Sequence, residues 1–355
     1  MPALYLWKTA CVIRETVDSV TIVFDTGSDR FDFKAGQFIN LTLTIDDKPV
    51  SRSYSLSSSP DEDEKPAITV KKIKDGKMSG YIVNRAEEIT DWQVDGPHGF
   101  FYPNEKAILS KNIVLIGGGS GITPLYSILK YVLKDTTVNV ILINANKTGD
   151  DVIFGKALGF MESSFSNRFK AWHVFSRSNP EEMISYKNAL HTRLSKLVLK
   201  KLLKKLLPDK NEQSCFFLCG PPGLIQLAED TLTDLSTPSS YVNREYFLPP
   251  DETTKEIALP VNMQEVLLHH DEQTNLLEVY PGKTILEAAL QDRIPLNYSC
   301  KSGTCGICIG KLTSGKVHMT KNFALREEHL EQGFILLCQS HPLDNEVTIE
   351  VEPYI

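Results

Sequence analysis

Up to about residue 103 the apolar positions come in short runs of β-formers. Val17 to Phe24 (VDSVTIVF), Phe38 to Ile45 (FINLTLTI) and Ala67 to Ile73 (AITVKKI) are the clearest. Such runs, bounded by turn residues, predict strands. Gly36 and Gly96-Pro97-His98-Gly99 punctuate them, and only a short helix is predicted, over Tyr81 to Asn84. The pattern predicts a small antiparallel β-barrel over residues 1–104. From about residue 106 the rhythm changes. Buried-type strands are predicted at Asn112 to Ile116, Val138 to Asn144, Ala171 to Phe175, Cys215 to Cys219 and Tyr241 to Phe247. Helices are predicted at Pro124 to Leu133 and Leu224 to Asp234. Alternating strand and helix predicts an α/β domain with a doubly wound parallel sheet, residues 105–248. Residues 249–259 (PPDETTKEIAL) are polar with two prolines and read as a linker. The last piece, 260–355, predicts strands at Gln264 to His269 and Leu276 to Tyr280, and a helix at Ile285 to Gln291 capped by Thr284.

Composition changes this picture little. The 355 residues are 41% hydrophobic and 23% charged, as in globular domains, and the length calls for two or three of them. A net charge of −7 argues against a nucleic-acid partner. No signal-peptide core and no run of membrane-span length occurs, so a cytoplasmic protein without stable membrane insertion is expected. Residues 260–355 carry 13 acidic and 7 basic side chains, so most of the negative charge lies there. That charge either steers a basic partner or keeps the segment soluble. Lys196 to Leu207 (KLVLKKLLKKLL) reads as a basic amphipathic helix. Covering the sheet is the expected role, with partner docking or membrane contact as alternatives.

The strongest chemical signal is Cys300-Lys-Ser-Gly-Thr-Cys305-Gly-Ile-Cys308, with Cys338 well downstream. This is the C-x₄-C-x₂-C…C spacing of a plant-type [2Fe–2S] cluster. Gly303 and Gly306 let the loop curl and aim backbone N–H groups at the sulfurs. A structural zinc site is the alternative, but zinc prefers two C-x₂-C pairs and one is present. His318 and His341 lack the spacing of a Rieske centre and read as surface or turn histidines. His269-His270 reads as structural.

Weaker motifs lie upstream. In Arg52-Ser53-Tyr54-Ser55, an arginine for phosphate, a ring for stacking and a hydroxyl for a ring nitrogen suit a flavin. A Ser-rich turn is the bland alternative. The run Asp75 to Gly80, with Met78 and Ser79, precedes the short predicted helix and offers an anion site. Gly117-Gly118-Gly119-Ser120-Gly121-Ile122-Thr123-Pro124 marks a nucleotide site at a strand-to-helix junction, although it departs from G-x-G-x-x-G. Cys219-Gly220-Pro221-Pro222 ends a later strand, with Cys219 a candidate neighbour of a nicotinamide. Ser176-Arg177 could hold a ribose 2′-phosphate and favour NADPH over NADH, though a surface arginine explains it equally.

Taken together and in this order, the motifs resemble the ferredoxin–NADP reductase superfamily. More narrowly they resemble members with a C-terminal plant-type ferredoxin domain, the reductase components of multicomponent oxygenases. Phenylacetyl-CoA epoxidase reductases are the nearest group, through Asn322-Phe-Ala-Leu and Gly333-Phe-Ile-Leu-Leu-Cys338-Gln-Ser, and ketosteroid hydroxylase reductases are similar. The resemblance implies FAD on the barrel, NADPH or NADH on the parallel sheet and [2Fe–2S] in a β-grasp domain. It implies that Arg52 binds flavin phosphate, Tyr54 packs on the flavin ring, and Ser55 lies by its reactive nitrogen. Ser79 would touch the pyrophosphate. Thr123 and Cys219 would lie by the nicotinamide, and Glu245 and Phe247 in the segment closing the flavin site. Tyr54, Ser55 and Cys219 are the expected catalytic residues. Met78, Gly118, Gly119, Gly121, Ser176, Arg177, Gly220 and Pro221 join the expected cofactor contacts. The expected acceptor is an oxygenase or hydroxylase, phenylacetyl-CoA epoxidase first, a ring-hydroxylating oxygenase or desaturase next. A redox sensor or electron-carrier module without NAD(P)H turnover is the alternative.

Overall fold

The computed structural model describes residues 4–60, 62–177, 186–208, 213–249 and 259–351. The expected linker lies almost wholly outside these residues. The chain divides into two compact units: Leu4–Pro97 with Phe101–Phe247, and His98–Phe100 with Leu248–Ile355.

The first unit holds two sheets. Strands β1 (Leu4–Thr16), β2 (Ser19–Asp25), β3 (Phe38–Ile45), β4 (Lys48–Ser55), β5 (Ala67–Lys71) and β6 (Asp91–His98) form an antiparallel sheet in the order β4-β3-β6-β1-β2-β5. A bridge between Leu56 and Ile68 joins its two ends, so the sheet curls into the expected barrel. Alternation explains the core: Val20, Ile22 and Phe24 of β2 and Ile39, Leu41 and Leu43 of β3 point inward and are buried. The β3–β4 turn places Asp46 and Asp47 both at positive φ, which matches the strand twist in a two-residue hairpin. Helix α1 (Lys77–Arg85) buries Met78, Ile82 and Val83 against the barrel. It starts four residues before the predicted helix, so Ser79 lies inside its first turn rather than ahead of it.

The second sheet follows α2 (Glu105–Ile108). It comprises β7 (Asn112–Gly118), α3 (Ile122–Asp135), β8 (Asn139–Asn146), α4 (Gly155–Ser164), β9 (Phe169–Phe175), β10 (Ala189–His191), α5 (Lys196–Leu206), β11 (Ser214–Cys219), α6 (Pro222–Asp234) and β12 (Val242–Glu245). Its strands are parallel in the order β10-β9-β8-β7-β11-β12. The chain therefore winds outward from β7 in one direction, then resumes at β11 on the other side. That reversal between β7 and β11 is a topological switch point. The last strand is shorter than expected, because Ser239–Tyr241 form a 3₁₀ turn and Tyr246 leaves the ladder. Helix α5 behaves as a cover: Leu199, Leu202 and Leu203 are buried, Lys196 faces Asp230 and Asp234, and Lys205 lies 4.4 Å over the Trp172 ring.

The second unit contains β13 (Gln264–His270), β14 (Gln273–Val279), α7 (Ile285–Gln291), β15 (Ile309–Ser314), β16 (Val317–Met319), α8 (Glu327–Glu331), β17 (Phe334–Leu336), β18 (Ser340–Pro342) and β19 (Val347–Val351). The main sheet runs β14-β13-β19-β15-β17, with β13 and β19 parallel. Ile285, Leu286, Ala288 and Ala289 of α7 pack into its core, as expected for a β-grasp domain. Thr284 caps α7 as expected and Glu287 completes a capping box, the Thr284 hydroxyl accepting from the Glu287 N–H at 3.2 Å. His341 is not at the surface. It pairs in register with His318, is buried, and its Nδ1 lies 2.8 Å from the Lys283 carbonyl.

Candidate active site

Parallel pairing brings the carboxyl ends of β7, β8, β9, β11 and β12 to one edge. Cys219 is in register with Gly117 and with Glu245, Gly117 with Asn144, and Asn144 with His173. One row of the sheet thus carries Glu245, Cys219, Gly117, Asn144 and His173, just inside the edge. Glycine is needed at the switch point for packing. A Cβ on Gly118 would lie 2.4 Å from the Ala145 carbonyl oxygen, and one on Gly121 2.3 Å from that of Cys219. Gly119, at φ +57°, has open space around it and leaves its backbone accessible, its N–H donating to Asn146 Oδ1 at 3.3 Å. Gly220 (φ +155°) and Pro221 carry the chain from Cys219 into α6.

Several buried polar atoms at this edge have no hydrogen-bond partner among the described residues: Thr123 Oγ1, both amide atoms of Asn144 and Asn146 Nδ2. Burying such atoms unpaired is costly, so their concentration here fits a polar ligand. Asn144 and Asn146 escaped the motif reading. The signal was available, as two asparagines ending an otherwise apolar strand, VILINAN. Beyond the edge, Ser176 and Arg177 are exposed, and the Arg177 N–H donates to the Lys147 carbonyl at 2.8 Å. Lys147 is also exposed, a second basic residue that the motifs did not flag.

The barrel meets this edge within the same unit. The Ser55 hydroxyl donates to Glu245 Oε2 at 3.1 Å, joining the end of β4 to the end of β12. Surrounding protein strips water from the Glu245 carboxyl and pushes its pKa up to about 8, against the opposing Ser55 hydrogen bond. Burial, helped by the charge of Glu245, raises the Cys219 thiol well above its usual range, so this is a neutral sulfhydryl. Burial also raises the Tyr54 phenol, opposed by Arg52. Arg52 is exposed and donates to the Ser51 carbonyl at 2.7 Å. The two sheets are further fastened by Ser127, whose hydroxyl donates to the Ser58 carbonyl at 2.5 Å and accepts from the Gly36 N–H at 3.2 Å.

The structure spreads the remaining candidates around this centre. Ser79 is buried, and its hydroxyl is engaged within the turn, 3.3 Å from both the Ile73 N–H and the Gly76 carbonyl. The Met78 side chain is in the barrel core, which leaves only its backbone to offer a ligand. Phe247 is 41% exposed, just beyond β12.

In the second unit the four cysteines form two hydrogen-bonded pairs, Cys300 with Cys305 and Cys308 with Cys338. Within the first pair, sharing a proton lowers the Cys300 thiol to about 4 and raises Cys305. Likewise Cys338 is lowered and Cys308 raised. Among the described residues no three ligands gather around one ion position. Two pairs, each with two thiols for one iron, fit a two-iron cluster. The Ser302 N–H (3.4 Å from Cys300 Sγ) and Gln339 Nε2 (3.7 Å from Cys338 Sγ) point at these sulfurs, as cluster stabilisation requires.

Three family models match the chain in series: an oxidoreductase FAD-binding domain over residues 10–102, an oxidoreductase NAD-binding domain over 115–230, and a 2Fe-2S iron-sulfur cluster binding domain over 268–343. The ferredoxin reductase component of 3-ketosteroid-9-alpha-monooxygenase from Mycolicibacterium smegmatis is 30% identical, over 96% of this chain and 95% of that one. The chain belongs to the reductase components of oxygenase systems. One of the subunits of 1,2-phenylacetyl-CoA epoxidase from Escherichia coli is 28% identical to this reductase over 99% of both chains. The structure of phthalate dioxygenase reductase superposes with a TM-score of 0.58 at 20% identity, covering 98% of each chain, and shows the same fold. The reductase therefore carries FAD-, NAD- and [2Fe–2S]-binding domains, and the reductase reading, not the carrier or sensor alternative, is borne out. Among its described residues no helix is long and apolar enough to cross a membrane.

Proposed function

We propose that this reductase takes electrons from NADPH in preference to NADH and delivers them to a separate oxygenase or hydroxylase, a phenylacetyl-CoA epoxidase type first. The flavin domain is residues 1–104, the nucleotide domain 105–248 and the cluster domain 260–355. The Ser55–Glu245 hydrogen bond carries the reading, because it joins the flavin motif of the barrel to the nucleotide edge of the parallel sheet. When bound, the flavin supplies the exchange between two-electron and one-electron chemistry, and the cluster carries single electrons. The protein's part is placement. Arg52 holds the flavin phosphate, Tyr54 packs on the ring, and the first-turn N–H groups of α1, with Met78 and Ser79, face the pyrophosphate. Ser55, held by Glu245, offers its hydroxyl to the reactive side of the ring, and Phe247 covers it. Gly119 lets the nucleotide approach, Gly118 and Gly121 keep the turns beneath it closely packed, and Thr123 and Cys219, with Gly220 and Pro221, line the nicotinamide position. Ser176, Arg177 and Lys147 provide the polar and basic setting that a 2′-phosphate requires. Cys300, Cys305, Cys308 and Cys338 hold the cluster.

Full-length alignment with the epoxidase protein supports that acceptor class. Among the described residues no cysteine forms a disulfide, which suits a reducing cytoplasm. The test is anaerobic titration of the purified protein with NADPH and, separately, NADH. Bleaching of flavin and cluster absorbance by NADPH at lower concentration supports the reading. A protein unmoved by either nucleotide refutes it, and equal response to both refutes the NADPH preference.

A further inference from the structure

Residue 98 ends the last barrel strand and residues 99 and 100 follow it, yet all three group with the C-terminal unit. Phe100 is half-buried and packs against the core that contains Cys308 and Cys338. Its ring lies against the cysteine loop itself. A Cβ placed on Gly306, the residue between Cys305 and Ile307, would meet Phe100 Cε2 at 3.3 Å and Cδ2 at 3.5 Å. Gly306 adopts φ +73°, so the loop turns there with its bare backbone facing the ring. Two further contacts hold Phe100 in place. The Arg326 guanidinium donates to the Phe100 carbonyl, and the His329 ring packs on it at a tilt of 51°, its centroid 4.6 Å from that of the Phe100 ring.

We propose that Phe100 is a positioning residue of the iron–sulfur site, a wall of the cluster loop supplied from outside the contiguous 260–355 segment. Three consequences follow from its position. The ring fixes the Gly306 turn and so the spacing of Cys305 and Cys308. It keeps water from that side of the loop. Arg326 and His329 set its position, which makes them supports rather than ligands. A cluster gains negative charge on reduction, and water stabilises that charge, so shielding by an apolar ring holds the potential down. The inference rests on the cluster assignment of the four cysteines.

The test uses the full-length holoprotein with F100A, F100L, R326Q and, as a control on an exposed aromatic of another element, F160A. Phe160 is 74% exposed on α4. Two quantities are measured: the rate at which cluster absorbance is lost to a chelator, and the midpoint potential from redox titration followed by EPR. F100A should lose its cluster about tenfold faster, the low end for changes around a metal centre, and its potential should move upward. R326Q should accelerate cluster loss less, and F100L and F160A should stay near wild type. Wild-type rate and potential in F100A would overturn the proposal while leaving the cysteine assignment intact. A wild-type protein that purifies with flavin but without cluster absorbance would overturn both.

Discussion

Gly121 gives the sharpest test of the switch-point architecture. Its φ is −64°, so alanine would suffer no backbone strain there. The obstacle is space. An added Cβ would lie 2.3 Å from the Cys219 oxygen, 2.4 Å from its carbonyl carbon and 2.5 Å from Gly220 Cα. Ordinary contact needs about 3.5 Å, so the β7–α3 and β11–α6 turns must separate by roughly an ångström. All three obstructing atoms are backbone, so no side chain can rotate away. Overpacking of this kind costs about 1–3 kcal/mol. At about 2–4 °C per kcal/mol for a unit of this size, Tm should fall by roughly 2–12 °C. Because the separated turns form the proposed nucleotide edge, KM for NADPH should rise about tenfold. Two glycines serve as internal controls. Gly159 lies mid-helix with nothing within 4 Å of an added Cβ, so G159A should stabilise by about 0.5–1 kcal/mol. Gly119 is equally open but at φ +57°, so G119A should cost about 1–2 kcal/mol from conformation alone. Differential scanning calorimetry and steady-state kinetics read all three. If G121A melts within about a degree of wild type with unchanged KM, the close approach of the two turns is not what glycine provides there.

Three further outcomes are expected. Glu245 holds its proton more tightly folded than unfolded, its pKa rising from 4.5 to about 8. Stability should therefore decline as pH rises from about 4.5 to 8 and flatten above. E245Q should remove that slope and melt higher than wild type at pH 9, and a parallel slope in both proteins would refute the assignment. R177Q should raise KM for NADPH about tenfold or more while leaving NADH unchanged, as loss of one charge-assisted contact predicts; equal effects on both nucleotides would place Arg177 elsewhere. C338S should lose cluster absorbance and one-electron delivery to cytochrome c while NADPH still bleaches the flavin, and retained EPR signal from an intact cluster would rule out Cys338 as a ligand.

The folds of the separate sheets were legible because each is set by local periodicity. Alternation in VTIVF and FINLTLTI makes barrel strands, and the apolar run before Gly117 makes a buried parallel strand. The cysteine loop was legible because three of its four cysteines, Cys300, Cys305 and Cys308, sit in one short segment with a recognisable spacing. Boundaries were less so. The helix over Lys77–Arg85 begins under Met78, whose apolar side chain finds the barrel core, and nothing local announces that. His341 reads as a surface or turn residue because its partner is remote, its Nδ1 meeting the Lys283 carbonyl 58 positions away.

What escapes the motifs is the arrangement, even where they name single members such as Gly117 and Cys219. The row Glu245, Cys219, Gly117, Asn144, His173 is assembled by register across four parallel pairings, and no window of the chain contains two adjacent members of it. Ser55 and Glu245 are 190 positions apart. The individual residues carry weak signals, since a buried asparagine or a glutamate at a strand end is commonplace by itself. Their meaning lies in convergence: unpaired amide and hydroxyl atoms and a carboxyl with a raised pKa gather beside the point where the strand order reverses. Desolvation there is costly to the folded protein, and in the proposed function a bound nucleotide and flavin would offset it. The same logic applies to Phe100, an ordinary aromatic after a strand until the fold sets it against Gly306. Residues that bind by spacing are readable from sequence, and residues that act by juxtaposition require the fold.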